Sequence, residues 1–227
     1  RLPELMDIER SAIKLPLKKI GKIRVLFEDD ACVVVDKPPG ISVQKGLHDA
    51  AGIIDYIIDQ GLGDRFYLVH RLDRPTSGCF LLAKTRKACV DLGQQFKNRT
   101  IKKQYTALLW GKWVGPSTKE VHIPLTSNPG ARKDKVVVDY HGKTALSSFE
   151  VLEKFEEATL VRVTIKTGRM HQIRVHASSF GAPVWGDDRY TTRDVLKKMK
   201  QANLIKGLFL HASSLCFCLP FDGQRIT

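Results

Sequence analysis

Much that would point to other classes of protein is missing from these 227 residues. No apolar run approaches the ~20 residues of a membrane-spanning helix; the densest, Leu208–Leu210 with Leu215–Leu219, is broken by His211 and by serines. The five cysteines (Cys32, Cys79, Cys89, Cys216 and Cys218) are odd in number. They form no C-x-x-C pair and have no paired histidines at zinc spacing, so a reducing compartment is the economical expectation and no metal is expected. A glycine-rich phosphate loop and a dinucleotide fingerprint are both absent, so neither of those nucleotide sites is expected. There is no internal repeat and no low-complexity tract. No signal-like apolar stretch follows Arg1, and a trimmed presequence would leave the same start.

Acidic charge is also in short supply. Lys and Arg number 37 against 24 Asp and Glu, a net charge of +13. Between Lys84 and Lys143 thirteen basic residues face four acidic ones, a net of +9 in sixty positions. Such a field attracts polyanions, of which nucleic acid is the commonest. The apolar share, 43%, is that of a folded globular chain, and the length suits one large domain.

The first 22 residues lack a clear period and read as an extension, with one domain over 23–227. Ile23–Phe27 and Cys32–Val35 read as strands around an acidic turn, and Ile53, Ile54, Ile57 and Ile58 repeat at helical spacing before Gly61. Tyr67–Gly78 is a polar loop, followed by a strand over Cys79–Ala83. Thr85 is placed to cap a helix running to about Asn98, with Ala88, Leu92 and Phe96 on its buried face. Strands are expected over Lys103–Trp110, Val136–Tyr140, Leu146–Leu152, Thr159–Lys166 and Leu208–Leu219, and helices over Met170–Phe180 and within Asp194–Asn203. This order does not alternate strand with helix. It predicts an α+β fold: a mixed, largely antiparallel central sheet with flanking helices and loops.

Three segments carry the chemistry. In Val69–Gly78, Asp73 stands between Arg71 and Arg74, and nearby guanidinium groups keep a carboxylate ionised, as a nucleophile requires. Taken alone, such a segment reads as a salt-bridged turn. Its company changes the reading. His70-Arg71-Leu72-Asp73 followed by Thr76-Ser77-Gly78 resembles the catalytic signature of the RluA-type pseudouridine synthases. Lys103-Gln104-Tyr105-Thr106-Ala107 leading to Gly111 resembles that family's tyrosine motif. Gly168–His176, then Gly181-Ala182-Pro183 and Gly186-Asp187 to Tyr190, resembles its arginine motif. Weaker agreement extends to Asp36–Gly40 and to Gly142, Lys143 and Ala145, so the resemblance runs from about Ile23 to the end.

That resemblance implies an RNA-modifying isomerase without a cofactor. The N1–C1′ bond of a uridine is broken, the uracil turns, and it rejoins the ribose through C5. Asp73 is implied as the catalytic aspartate, Tyr105 as the ring that stacks on the target base and assists proton transfer, and Arg174 as the partner that orients the carboxylate. Arg71 is implied to fill the space left by the flipped nucleotide. His70 reads more simply as a buried residue tying the loop, although it stands among the RNA contacts expected here with Arg74, Lys84, Arg86, Lys102, Lys103, Arg132, Lys133, Lys135, Arg169 and His171. Asp187 is implied to hold a turn rather than to activate water, which weighs against a uracil-releasing hydrolase. A catalytically silent relative that binds ribosomal RNA during assembly is the alternative reading. Cys79, Met170 and Trp185 depart from the family pattern without removing a reacting group, and little chain remains after Phe221 for the short strand usual there. The expected partner is RNA, ribosomal or transfer. The expected chain is monomeric, and its setting is a bacterial cytoplasm or an organelle.

Overall fold

The computed structural model describes residues 19–45, 51–127, 135–202 and 206–227. In chain order its elements are β1 (Arg24–Glu28), β2 (Cys32–Lys37), α1 (Ile53–Asp59), β3 (Tyr67–Leu68), β4 (Ser77–Ala83) and α2 (Arg86–Lys97). Next come β5 (Lys102–Trp110), β6 (Thr118–Val121), β7 (Leu125–Ser127), β8 (Val136–Val138), β9 (Ser147–Lys154) and β10 (Ala158–Ile165). The chain closes with α3 (Gln172–Ser179), α4 (Arg193–Ala202), β11 (Leu210–Cys218) and β12 (Arg225–Ile226).

One large sheet runs β1-β2-β4-β11-β5-β10-β9-β6, with β3 beside β4 and β12 beside β11, while β7 and β8 form a separate ribbon. Among the described residues only β4 and β11 pair in parallel, so the architecture is α+β on a largely antiparallel sheet. Successive strand residues point to opposite faces, and the core divides accordingly. Val33, Val35, Phe80 and Leu82 pack with Ile53, Tyr56 and Ile57 of α1. Their neighbours Cys32, Val34, Leu81 and Ala83 pack with Ala88 and Leu92 of α2. Thr85 caps α2 by accepting a hydrogen bond from the Ala88 amide at 3.1 Å. All five cysteines are free thiols. No helix among the described residues is long and apolar enough to cross a membrane.

Some boundaries differ from the sequence expectations. α3 begins at Gln172, two residues later than Met170, because His171 adopts a left-handed conformation (φ 54°). The strand expected over Val136–Tyr140 ends at Val138. β6 was not foreseen because three of its four residues are exposed and carry no apolar alternation. The short C-terminal strand, for which little chain remained, is formed by Arg225–Ile226 against Phe217 and Cys218. Residues 1–18 of the expected extension lie outside the described residues.

Candidate active site

The three motifs converge on one side of the sheet. Asp73 lies in the turn that leads into β4, closed by a hydrogen bond from the Thr76 amide to the Asp73 carbonyl at 3.0 Å. Gly78 makes the approach possible: at φ +106° a side chain is strained, and a Cβ there would overlap the backbone of Ala212 on the parallel neighbour β11. Tyr105 comes from β5, on the face it shares with Ala107 and Leu109. Together with Arg71, Leu72, Thr76, Ile165, residues 168–174 and Leu210 they line a cleft with about 60 Å³ of open space. Outward the cleft widens into a groove of about 950 Å³, whose walls include Lys45, Arg71, Arg74, His171, Arg174 and Arg189.

The Asp73 carboxylate is only 15% exposed. Arg174 Nη1 lies 4.0 Å from its Oδ2, and His171 Nε2 lies 3.9 Å from the same oxygen. Neither distance is a hydrogen bond. Arg174 therefore keeps an ion pair with Asp73 at 4.0 Å while its direct hydrogen bonds go elsewhere. Its guanidinium donates twice to Asp187, from Nε to Oδ2 and from Nη2 to Oδ1, both at 2.8 Å. A planar fork matches one carboxylate best side by side, and Asp187, 1% exposed in its turn, offers that geometry where Asp73 does not. Asp187 also accepts from the Arg189 and Tyr190 amides, at 3.0 and 3.2 Å. With its acceptor sites so occupied it holds a turn and an arginine, leaving little capacity to activate water.

Tyr105 is 8% exposed, and burial, reinforced by the charge of Asp73, pushes its phenol pKa up. It is a protonated aromatic wall beside the carboxylate. Thr76, 2% exposed on the same wall, has a hydroxyl with no hydrogen-bond partner among the described residues.

Lys37 was not singled out in the sequence. Its side chain is fully buried at the end of β2, where its ammonium donates to the carbonyls of Ile41 (2.9 Å), Pro38 (3.1 Å) and Arg74 (3.3 Å). The Gly40 amide also donates to the Arg74 carbonyl, at 2.8 Å, and Arg74 Nε returns a bond to the Gly40 carbonyl. This knot ties the loop that carries Asp73 to the Lys37–Gly40 turn. Burial draws the Lys37 pKa down to about 8, against the opposing pull of Asp73. A buried charge cannot be read from one lysine in a short motif; the signal available was the agreement over Asp36–Gly40.

The remaining expected contacts divide. Arg71 and Arg74 are exposed at the groove, and Arg169 lines the cleft with its Nε bonded to the Thr144 carbonyl. Lys103 faces the Tyr105 side and is half-buried, which with Arg99 nearby lowers its pKa. His70 borders the groove but is half-buried. Its ring stacks between Phe80 and Phe96, its Nε2 accepts from the Leu81 amide at 3.0 Å, and burial draws its pKa down to about 3. It ties the loop. Lys84 stands at the far end of β4 from Asp73, bonded to Glu28 and to the Asp29 carbonyl. Lys102 points to the opposite face of the sheet, beside Gln104, Ser214 and Arg225. Arg86 opens α2, and Lys135 is exposed just before β8. Arg132 and Lys133 lie outside the described residues. Among the described residues no three His, Cys, Asp or Glu side chains converge as metal ligands do.

The fold is that of a pseudouridine synthase. The structure titled Human RNA Pseudouridylate Synthase Domain Containing 1 superposes with a TM-score of 0.76 over 93% of this chain and 84% of that one, at 23% identity. Human RNA Pseudouridylate Synthase Domain Containing 4 gives 0.66 over 87% and 84%, at 27% identity. Residues 31–179 match the family described as RNA pseudouridylate synthase. Proteins named ribosomal large subunit pseudouridine synthase C are 38% identical to this chain in Buchnera aphidicola over 89% of it, in Yersinia pestis over 100% and in Escherichia coli over 99%. The chain spans 65% of the length of the first of these relatives and 72% of each of the other two. It belongs to the RNA pseudouridylate synthase family.

Proposed function

We propose that this chain isomerises uridine to pseudouridine in RNA, with ribosomal RNA as its substrate, through Asp73. The observation that carries the reading is the placement of Asp73 in a narrow cleft beside Tyr105, with Arg174 locked by Asp187 at its edge. The names of the relatives point to ribosomal rather than transfer RNA.

A base held between Tyr105 and the cleft wall presents its ribose to Asp73. The carboxylate engages the sugar as the N1–C1′ bond breaks, and the detached uracil turns within the cleft, out of bulk water. C5 then bonds to C1′ and gives up its proton, and N1, freed of the sugar, takes one up, so the overall change is an isomerisation. Tyr105, whose proton is held firmly, grips the base by stacking and is placed to hydrogen-bond to it. Arg71, exposed at the cleft mouth, fills the gap left in the RNA stack, and the cations of the groove, Lys45, Arg74 and Arg189, meet phosphates. A silent RNA-binding relative would not need this cleft with its carboxylate intact.

The test is release of tritium from RNA labelled at uridine C5. The purified chain should release tritium to water, and Asp73→Ala should abolish release while RNA binding stays close to wild type. Equal release by both proteins, or free uracil in the supernatant, would overturn the proposal.

A further inference from the structure

His171 is held in a way that its motif does not explain. It is the residue before α3, 9% exposed, in a left-handed conformation (φ 54°, ψ 17°) that a non-glycine residue seldom adopts. Its Nδ1 meets the Tyr190 hydroxyl at 2.6 Å, and its Nε2 faces Asp73 Oδ2 at 3.9 Å. The bonds of Tyr190 favour one of the two ring tautomers. Its oxygen already accepts from the Val136 amide at 3.0 Å. Burial raises the Tyr190 pKa, so the phenol keeps its hydrogen and donates it to the short contact with Nδ1. Burial lowers the His171 pKa, with Arg174 and Arg189 also disfavouring the cation and Asp73 and Asp187 favouring it. A neutral imidazole that accepts at Nδ1 carries its one proton at Nε2, on the side of Asp73.

We infer that Tyr190 and His171 form a positioning relay for the catalytic carboxylate: the phenol selects the tautomer, and the imidazole presents a neutral N–H to the same oxygen that Arg174 faces. This rests on the proposed role of Asp73. Both groups approach Oδ2 and both are anchored elsewhere, Arg174 by Asp187 and His171 by Tyr190. A neutral donor orients the carboxylate without adding a second full positive charge beside it, which would blunt the nucleophile. Protonated His171 would add that charge, so activity should fall on the acid side as the imidazole titrates. The groups that face it from each packed element are Asp73 in the loop before β4, Arg174 in α3, and Asp187, Arg189 and Tyr190 in the turn after α3.

The experiment is tritium release measured across the acid range for wild type, Tyr190→Phe and His171→Asn, with thermal midpoints and RNA affinity recorded for each. Asparagine tolerates the left-handed backbone, so His171→Asn removes the ring with little strain. It should lower kcat several-fold, since the donor faces Oδ2 from 3.9 Å without a full hydrogen bond, and the loss should fall on kcat more than on KM. It should also remove the histidine from the acid limb, moving that limb to lower pH. Tyr190→Phe deletes the donor that stabilises the neutral ring, so its limb should move the other way, to higher pH. A purely structural role predicts no such opposed shifts. Acid limbs that superimpose on wild type in both variants, or a wild-type kcat in His171→Asn, would overturn the relay while an inactive Asp73→Ala leaves the proposed function standing. Release retained by Asp73→Ala would overturn both.

Discussion

Lys37→Met separates the cost of a buried charge from the work that charge does. In the folded chain the ammonium titrates near 8 instead of 10.5, because burial disfavours the cation more than Asp73 favours it. At about 1.4 kcal/mol per factor of ten, staying charged in the fold costs on the order of 3 kcal/mol. Between the two values the unfolded chain binds more protons than the folded one, so this group makes stability rise with pH across that window. Methionine fills a similar volume and does not titrate. Urea unfolding of wild type and Lys37→Met at several pH values from about 7.5 to 10.5 lets every other titrating group cancel in the difference. The stability of wild type relative to the variant should climb by about 2–3 kcal/mol over that range. A flat difference would refute the claim that Lys37 is desolvated, and a falling one would mean that Asp73 outweighs burial. The variant should also release tritium more slowly at neutral pH, since the Ile41, Pro38 and Arg74 carbonyls lose their common donor and the Asp73 loop loosens.

Three further outcomes are expected. Asp187→Ala leaves the Arg174 guanidinium buried without its partner and should destabilise the protein by about 3–5 kcal/mol in urea unfolding, with tritium release reduced even under conditions where it is folded. Thr85→Ala, which removes the cap of α2 far from the cleft, should cost about 1 kcal/mol and leave turnover per folded molecule unchanged. Affinity for RNA should fall steeply with salt, with a slope in log–log form near −0.7 per phosphate neutralised on single strands, and Arg74→Ala should flatten that slope by roughly one contact.

Local pattern determined a good deal of this protein. The alternation of Cys32–Val35 and of Cys79–Ala83 sets two faces, and those residues divide between the α1 and α2 cores as a period of two requires. The Thr85 cap, the face of Tyr105 and the three motifs around Asp73, Tyr105 and Arg174 are likewise properties of short segments. What a side chain touches across the fold is not local. Arg174 meets Asp187 thirteen residues away, Lys37 meets the Arg74 carbonyl 37 residues away, and His171 meets Tyr190 nineteen away. Each of these choices depends on which groups the sheet brings within a few ångströms once water is excluded, because a buried charge or hydroxyl must find a partner there. The same reason separates the basic residues. Lys84 and Lys102 look like Arg71 and Arg74 as basic letters in a sequence, and only the folding of β4 and β5 sends the first pair away from the groove and leaves the second at its mouth.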